Sequence, residues 1–506
     1  MIRQERRRIK MATRKETKRQ NQKALRAQRE AEGLGHPVSA TLPNGKSPFD
    51  SVEEEREERQ DAVIEQQRVF QSLLPKLLRK LGKIPDPRNP LKIKHKLTMV
   101  VLLGILSFVY QMSSRREANR KMTRPVFVEN LRQFLPELET IPHQDTLNRL
   151  LSNIEVEQIE ATHIDMIRNL IRKKKFARYL IEDCYPIAFD GTQKMVRSEA
   201  LSPEWLEREV NTTGGGKQQY YVYVLEANLV FHNGMVIPLM TEFLDYAQGD
   251  TQRSKQDCEQ KAFHRLAKRL KKAFPRLSIL ALLDGLYANG PVMDRCREYN
   301  WQHMIVLQDG SLPSVWEEFN GLSCLEENNQ LAQPWGDRRQ SFRWINQIEY
   351  CWGPNQPKRL NVHVVVCREA WKEVDNHTGE IVRKHSKHAW LSSKPLHAKS
   401  IHERCNLGAR HRWGIETGIL VEKRHGYQYE HVFSHNWDAM RGYHYLMRLG
   451  HALNVLAQYS SALIKRVRQM GVRGLIDFLR ETMTAPWFDP EQVQRRMAAP
   501  CQLRLE

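Results

Sequence analysis

Two apolar runs that each end in Asp-Gly constrain this chain more than any other feature. Tyr185-Pro-Ile-Ala-Phe189 leads into Asp190-Gly191, and Ser278-Ile-Leu-Ala-Leu-Leu283 leads into Asp284-Gly285. Short continuous apolar runs of this kind read as strands covered on both faces. Between them, Tyr220–Leu225 and Leu229–Leu239 read as two strands joined near Glu226-Ala-Asn, with a further turn signal at Asn233-Gly234. A helix with the apolar face Phe263, Leu266, Leu270 and Phe274 precedes the second run. A helix from Pro291 and the strand His303–Leu307 follow it. Strands and helices in this order predict an α/β fold. Functional groups in such sheets collect at the carboxyl ends of strands, where both aspartates are expected to stand. Glycine after each lets the chain turn sharply beside a ligand. Either aspartate alone is ordinarily a turn or helix-cap residue; it is the pair that points to a site.

A third acid lies downstream, in Arg412-Trp413-Gly414-Ile415-Glu416 followed by Lys423. On a helix, positions i, i+4 and i+11 share a face, so one carboxylate would stand between two cations. Alone this is an exposed ion-pair stripe. After two strand-end aspartates it also suits a metal ligand flanked by groups that grip a phosphodiester. Three convergent carboxylates suit two Mg²⁺ ions, with Mn²⁺ able to substitute, because hard cations take oxygen ligands and leave positions for water and phosphate. Two such ions about 3.5–4 Å apart can activate an attacking hydroxyl and stabilise the leaving oxygen.

Charge points the same way. The 506 residues carry 79 Lys and Arg against 59 Asp and Glu, a formal net charge of +20, which suits a polyanionic partner such as nucleic acid. Eight scattered cysteines form no Cys-x-x-Cys pair, which argues against a disulfide framework or zinc ribbon and for a reducing compartment. The N-terminus has no apolar signal core. The longest apolar stretch, Leu97–Met112, is 16 residues long and includes Ser107 and Gln111. A membrane span needs roughly 20 apolar residues, so a buried helix is expected, in a soluble cytoplasmic protein.

Residues 1–55 are expected to be a disordered basic arm, either a nonspecific DNA contact or a solvated tail. Residues 56–180 read as a helical N-terminal domain expected to bind DNA. Its periodicity starts near Ser51, and the turn Pro85-Asp-Pro-Arg-Asn-Pro90 precedes the apolar helix. A short helix after Pro142 could belong to a helix-turn-helix, but bundle packing is the preferred reading. Residues 181–307 form the first part of the α/β core, 308–398 an aromatic, β-rich insertion, 399–432 the glutamate helix and 433–506 C-terminal helices. Asn211–Lys217 lacks the phosphate-loop pattern and reads as a hinge. Asp183 precedes the first strand, Glu422 falls on another helix face and is expected to be solvated, and His431 and His435 lack zinc spacing.

These residues resemble the DDE transposases of bacterial insertion sequences, in the group with a Tyr-x2-Arg-x3-Glu-x6-Lys signature. Arg412, Glu416 and Lys423 match its last three positions; the first is Ala409 instead of tyrosine. Phe189-Asp-Gly-Thr192 and Leu283-Asp-Gly-Leu-Tyr287 resemble the two catalytic aspartate motifs. Asp86-Pro-Arg88, Lys94-His95 and Ile141-Pro-His-Gln-Asp-Thr146 resemble the N-terminal helical region of related transposases. The likeness spans roughly 75–460. It implies a ribonuclease-H-like mixed sheet with flanking helices, and Asp190, Asp284 and Glu416 as metal-binding catalytic residues. Arg412 and Lys423 would contact DNA phosphates, and Trp413 would either stack on a displaced base or pack the helix. The implied reaction is metal-dependent cleavage at element ends and 3′-hydroxyl transfer into target DNA by a nucleoid-associated homodimer or larger assembly. A nuclease without strand transfer, or an inactive DNA-binding derivative, would share the same sequence features.

Overall fold

A computed structural model describes residues 2–37, 42, 45–212, 215–245 and 258–506, side chains of 2–13 and 212 excepted. The protein is a mixed α/β structure whose chain divides into two compact units, Leu42–Ile279 with His411–Glu506 and Met1–Thr41 with Leu280–Arg410.

The second of these begins with α1 (Ile2–Ala31), which corrects the expectation of a disordered arm over this stretch. Composition missed it because α1 docks through polar groups. Arg14 Nη2 donates to Asn376 O at 2.8 Å, Lys18 Nζ to Asn376 Oδ1 at 2.9 Å, and Arg29 Nη2 to Lys372 O at 2.6 Å.

The larger unit opens with helices α2 (Val52–Leu81), α3 (Leu97–Val109), α4 (Arg115–Met122), α5 (Pro125–Arg132), α6 (Gln144–Leu151) and α7 (Glu157–Arg172). Ser51 caps α2 by accepting from Glu54 N at 3.1 Å, as a serine ahead of acids does. Strands β1 (Tyr185–Arg197), β2 (Leu206–Thr212), β3 (Gly215–Val230) and β4 (Val236–Leu244) follow, then α8 (Glu259–Ala273). β3 pairs antiparallel with β1, β2 and β4.

In the other unit, β5 (Ile279–Leu283) begins at the boundary and runs parallel to β6 (Gln302–Val306), with α9 (Gly290–Glu298) between them. Residues 308–398 carry α10 (Pro313–Ser323) and the antiparallel strands β7 (Gln330–Trp335), β8 (Arg338–Trp352), β9 (Lys358–Val374) and β10 (Ile381–Ser392). β10 returns antiparallel to β6, so these strands extend the sheet that β5 and β6 begin. The buried Glu369 on β9 is bonded by Arg338, Arg410 and Gln340. Burial raises its pKa, but these partners and His388 prevail and hold it down to about 2. The short α11 (Ala398–Ile401) leads into a π-helical stretch, His402–Gly408.

The chain re-enters the larger unit as α12 (Gly414–Arg424), α13 (Trp437–Gln458), α14 (Ile464–Met483, broken at Gly471 where φ is +74°) and α15 (Pro490–Ala498). α13 is buried along nearly its whole length and packs on α3, α6, α7 and β4. A Cβ on Gly450 would lie 2.9 Å from Phe108 Cβ, and one on Gly104 would lie 3.0 Å from a Leu446 methyl. Glycine therefore sets the close α3–α13 approach. Eleven residues of α3 are buried, which explains its apolar composition without a membrane. Among the described residues no helix is long and apolar enough to cross one.

Two readings of this region are corrected. The break expected near Glu226-Ala-Asn does not occur: β3 runs through it, and the turn falls at Asn233-Gly234, where Gly234 has φ +88°. A lone charge suggested a turn, but the fully buried Glu226 finds partners inside the core. Its carboxylate accepts from Tyr429 Oη at 2.9 Å and Thr241 Oγ1 at 2.6 Å. Asn211–Lys217, expected to be a hinge, joins β2 to β3 in a hairpin with Asn211 opposite Gly216; residues 213 and 214 lie outside the described residues.

Arg448 on α13 closes this buried network. Its guanidinium lies 3.1 Å from Glu226 Oε2 and 3.1 Å from Glu422 Oε1, and it donates to Asn228 Oδ1. Burial pushes the Glu226 carboxyl up, but Arg448 and His444 outweigh it and leave the pKa at about 2. Removing one partner from a buried ion cluster leaves uncompensated charge and costs ~3–5 kcal/mol, so Arg448→Met should lower the melting temperature sharply. The folded pKa of Glu226 lies below its ordinary value of 4.5. Its stabilising contribution is therefore complete above that value and lost as pH falls toward 2. Melting curves across this window should show the wild type destabilised by acid.

Candidate functional site

Asp190 stands within β1, not at its end, which corrects the strand-end expectation. Glycine does not turn the chain here because pairing continues in register, with Asp190 opposite Glu226 and Gly191 opposite Leu225. The missing Cβ serves another purpose. A Cβ on Gly191 would lie 2.1 Å from a Glu259 carboxylate oxygen and 2.7 Å from Tyr223 Oη, and Tyr223 Oη donates to that oxygen at 2.9 Å. A second carboxylate thus lies against the residue after Asp190. Sequence reasoning missed Glu259, whose only signal is its place in the first turn of α8. Asp190 itself is part-exposed, at the point where the fully buried first half of β1 gives way.

Glu416 belongs to the same unit, in the first turn of α12. α12 packs on β1, β3 and β4 through Gly414, Ile415, Gly418 and Ile419. A Cβ on Gly418 would lie 3.0 Å from a Val236 methyl, so small residues let the helix lie close on the sheet. Arg412 and Trp413 precede α12 in a 3₁₀ turn, Ala409–Trp413. The i,i+4 contact expected of a helix is nevertheless made: Arg412 Nη2 donates to Glu416 Oε1 at 2.6 Å. Arg412 is only 5% exposed, and among the described residues its Nε and Nη1 have no hydrogen-bond partner. Both nitrogens are shielded from solvent, so the guanidinium acts inside the fold, through its bond to Glu416.

Lys423 is committed within the fold. Its Nζ donates to Gln193 O on β1 at 2.9 Å and lies 3.2 Å from Glu430 Oε1. Glu416 and Lys423 are seven residues apart, about two helical turns, so this bond also fixes the rotation of the face that carries Glu416. Trp413 is 62% exposed, with Arg412 5.0 Å from its ring; helix packing does not account for it. Ala409, at the signature's tyrosine position, is buried. Glu422 is not solvated but fully buried: besides Arg448, His451 Nδ1 lies 2.7 Å from Glu422 Oε1. Burial raises its pKa, but Arg448 and His451 prevail and it is held below the ordinary range.

Asp284 lies in the other unit, directly after β5. Its Oδ1 accepts from Leu286 N at 2.9 Å and caps the 3₁₀ turn Gly285–Tyr287, the structural role any aspartate there could play. A Cβ on Gly285 would lie 2.7 Å from Gln308, so glycine allows that side chain to close on the turn. Asp190, Asp284 and Glu416 are all part-exposed carboxylates, the donor chemistry a hard divalent cation takes. Among the described residues no group of three or more His, Cys, Asp or Glu side chains is clustered so as to hold a metal ion.

Residues 78–167, from the end of α2 through most of α7, match the model of a domain family described as DDE_Tnp_1-associated. The match supports a transposase-related protein. No curated protein matches the chain.

The contrast between the two glutamates of α12 is testable by thermal melting. Glu422→Gln breaks a buried ion pair and should cost ~3 kcal/mol or more. Glu416→Gln, at a part-exposed position where the amide oxygen can still accept from Arg412 Nη2, should cost less than Glu422→Gln.

Proposed function

We propose that this protein is a DNA transposase that cleaves DNA at the ends of an insertion sequence and joins the freed 3′-hydroxyl to target DNA. The observation that carries the reading is local to one unit. Asp190 and Glu416 are part-exposed carboxylates on β1 and α12, elements that pack on each other, and Glu416 is bonded to a buried guanidinium with unpaired N–H groups. The transposase-associated match over 78–167 supports it independently.

In this reading Asp190, Asp284 and Glu416 would be the residues that hold two Mg²⁺ or Mn²⁺ ions, and such ions would supply activation of the attacking hydroxyl and stabilisation of the leaving oxygen. Arg412 keeps Glu416 in place through Nη2 and sets a positive charge beside it. Lys423, tied to Gln193 O and Glu430, orients α12. The exposed Trp413 can stack on an unpaired base. Bringing two element ends together calls for two copies of the chain, and the site of action is the nucleoid.

The test is incubation of the full chain with Mg²⁺ and labelled duplex taken from the DNA flanking its gene. Joined products support transposition. Cuts without joining support a nuclease, and bound but uncut DNA with either Mg²⁺ or Mn²⁺ supports an inactive binding derivative. Asp190→Asn should abolish cleavage and leave duplex binding within about twofold of wild type. Cleavage retained in that variant would remove Asp190 from the mechanism.

A further inference from the structure

In the helical region of the larger unit, the loop after α2 faces α6 across a cleft of about 600 Å³. Arg88, Lys92, Lys94 and His95 line one side and Arg149 and Asn153 the other, and no carboxylate lines it. Lys92, Lys94 and Arg149 are exposed, and among the described residues their side chains have no ion-pair or hydrogen-bond partner.

The loop is held firmly. Arg88 grips Asp86 with two bonds, Nε to Oδ1 at 2.8 Å and Nη2 to Oδ2 at 2.6 Å, and Nη2 also donates to His95 O at 2.9 Å. Asn89 Oδ1 accepts from Leu91 N at 3.0 Å and caps the 3₁₀ turn Pro90–Lys92. That turn holds Leu91 out at 96% exposure, the most exposed large apolar side chain among the described residues. The cleft is electropositive enough to act on His95: burial lowers its pKa, and Arg88 and Lys94 lower it further against the pull of Glu139.

We propose that this cleft grips the backbone of a DNA duplex, with Lys92, Lys94 and Arg149 on phosphates and Leu91 pressed into the adjoining groove. The proposal rests on the transposase reading and names where the helical region holds its DNA. Unpaired cations drawn from two segments exceed what one small anion needs, and each phosphate they neutralise would release condensed counterions. An apolar side chain held rigidly beside such cations is the arrangement by which proteins wedge a base step. An exposed leucine on a rigid turn is otherwise unexplained by packing.

The experiment measures binding of the full chain to labelled duplex from the gene's flanking DNA across a salt series. The triple variant Lys92→Gln, Lys94→Gln, Arg149→Gln should bind at least ~10-fold more weakly, with a log–log salt slope smaller by roughly 0.9 per side chain, about three units in all. Its melting temperature should match wild type, because all three side chains are exposed. Leu91→Ala should weaken binding with the slope unchanged; wild-type affinity in that variant would overturn the wedge. Wild-type affinity and slope in the triple variant would overturn the cleft while leaving the transposase reading intact. A wild-type chain that binds no duplex would defeat that reading first. Saturable binding of inorganic phosphate, lost in the triple variant while duplex binding is unchanged, would assign the cleft to a small anion and overturn the proposal.

Discussion

The larger unit depends on one buried guanidinium. Arg448 meets Glu226 from β3 and Glu422 from α12, so three elements share a charge cluster with no access to water. Carboxylates in an apolar interior are unfavourable unless paired and hydrogen-bonded. Here Thr241, Tyr429 and His451 take up the remaining oxygens, and the cluster can form only with α12 set in one position against the sheet. That position seats α12, and Glu416 in its first turn, on the side of β1, β3 and β4. The catalytic proposal therefore rests on a polar core several residues away from the carboxylates it concerns.

Glycine does related work at the sheet surface. Gly414 and Gly418 bring α12 down on Val230 and Val236, and Gly191 leaves room for Glu259 beside Asp190. At neither place does glycine supply a turn. Close approach is the requirement, and it accounts for a glycine beside each catalytic candidate as well as turn formation did in the sequence. Lys423 completes the arrangement by holding a β1 carbonyl from the helix above it.

What the sequence made legible follows from periodicity. The buried runs at 185–189 and 279–283, the apolar face of α8 and the cap at Ser51 carry local signals that the structure keeps. The rest depended on partners far away in sequence. The strand junction expected near Glu226 does not occur because Arg448, 222 positions downstream, allows that carboxylate to be buried within β3. Glu422 looked solvated because it falls on another helix face from Glu416; its partners Arg448 and His451 come from α13. α1 looked disordered because its apolar content is low, yet its contacts run to Asn376 and Lys372 through side-chain amines and guanidinium groups. Asp190 and Asp284 were legible from the apolar runs before them, and Arg412 and Glu416 from their spacing once those aspartates were in view, whereas Glu259 and the engagement of Lys423 were not.

The chain's nested order has a consequence for its birth. Residues Leu280–Arg410 are inserted between the two stretches that build the larger unit, and Arg448 lies beyond them. On the ribosome, β3 therefore emerges long before the cation that allows its glutamate to be buried. Domains generally fold as units during synthesis, and distant pairings slow that process. A chain that stops before α13 therefore lacks more than its last helices: it lacks the cation that Glu226 and Glu422 share in the core.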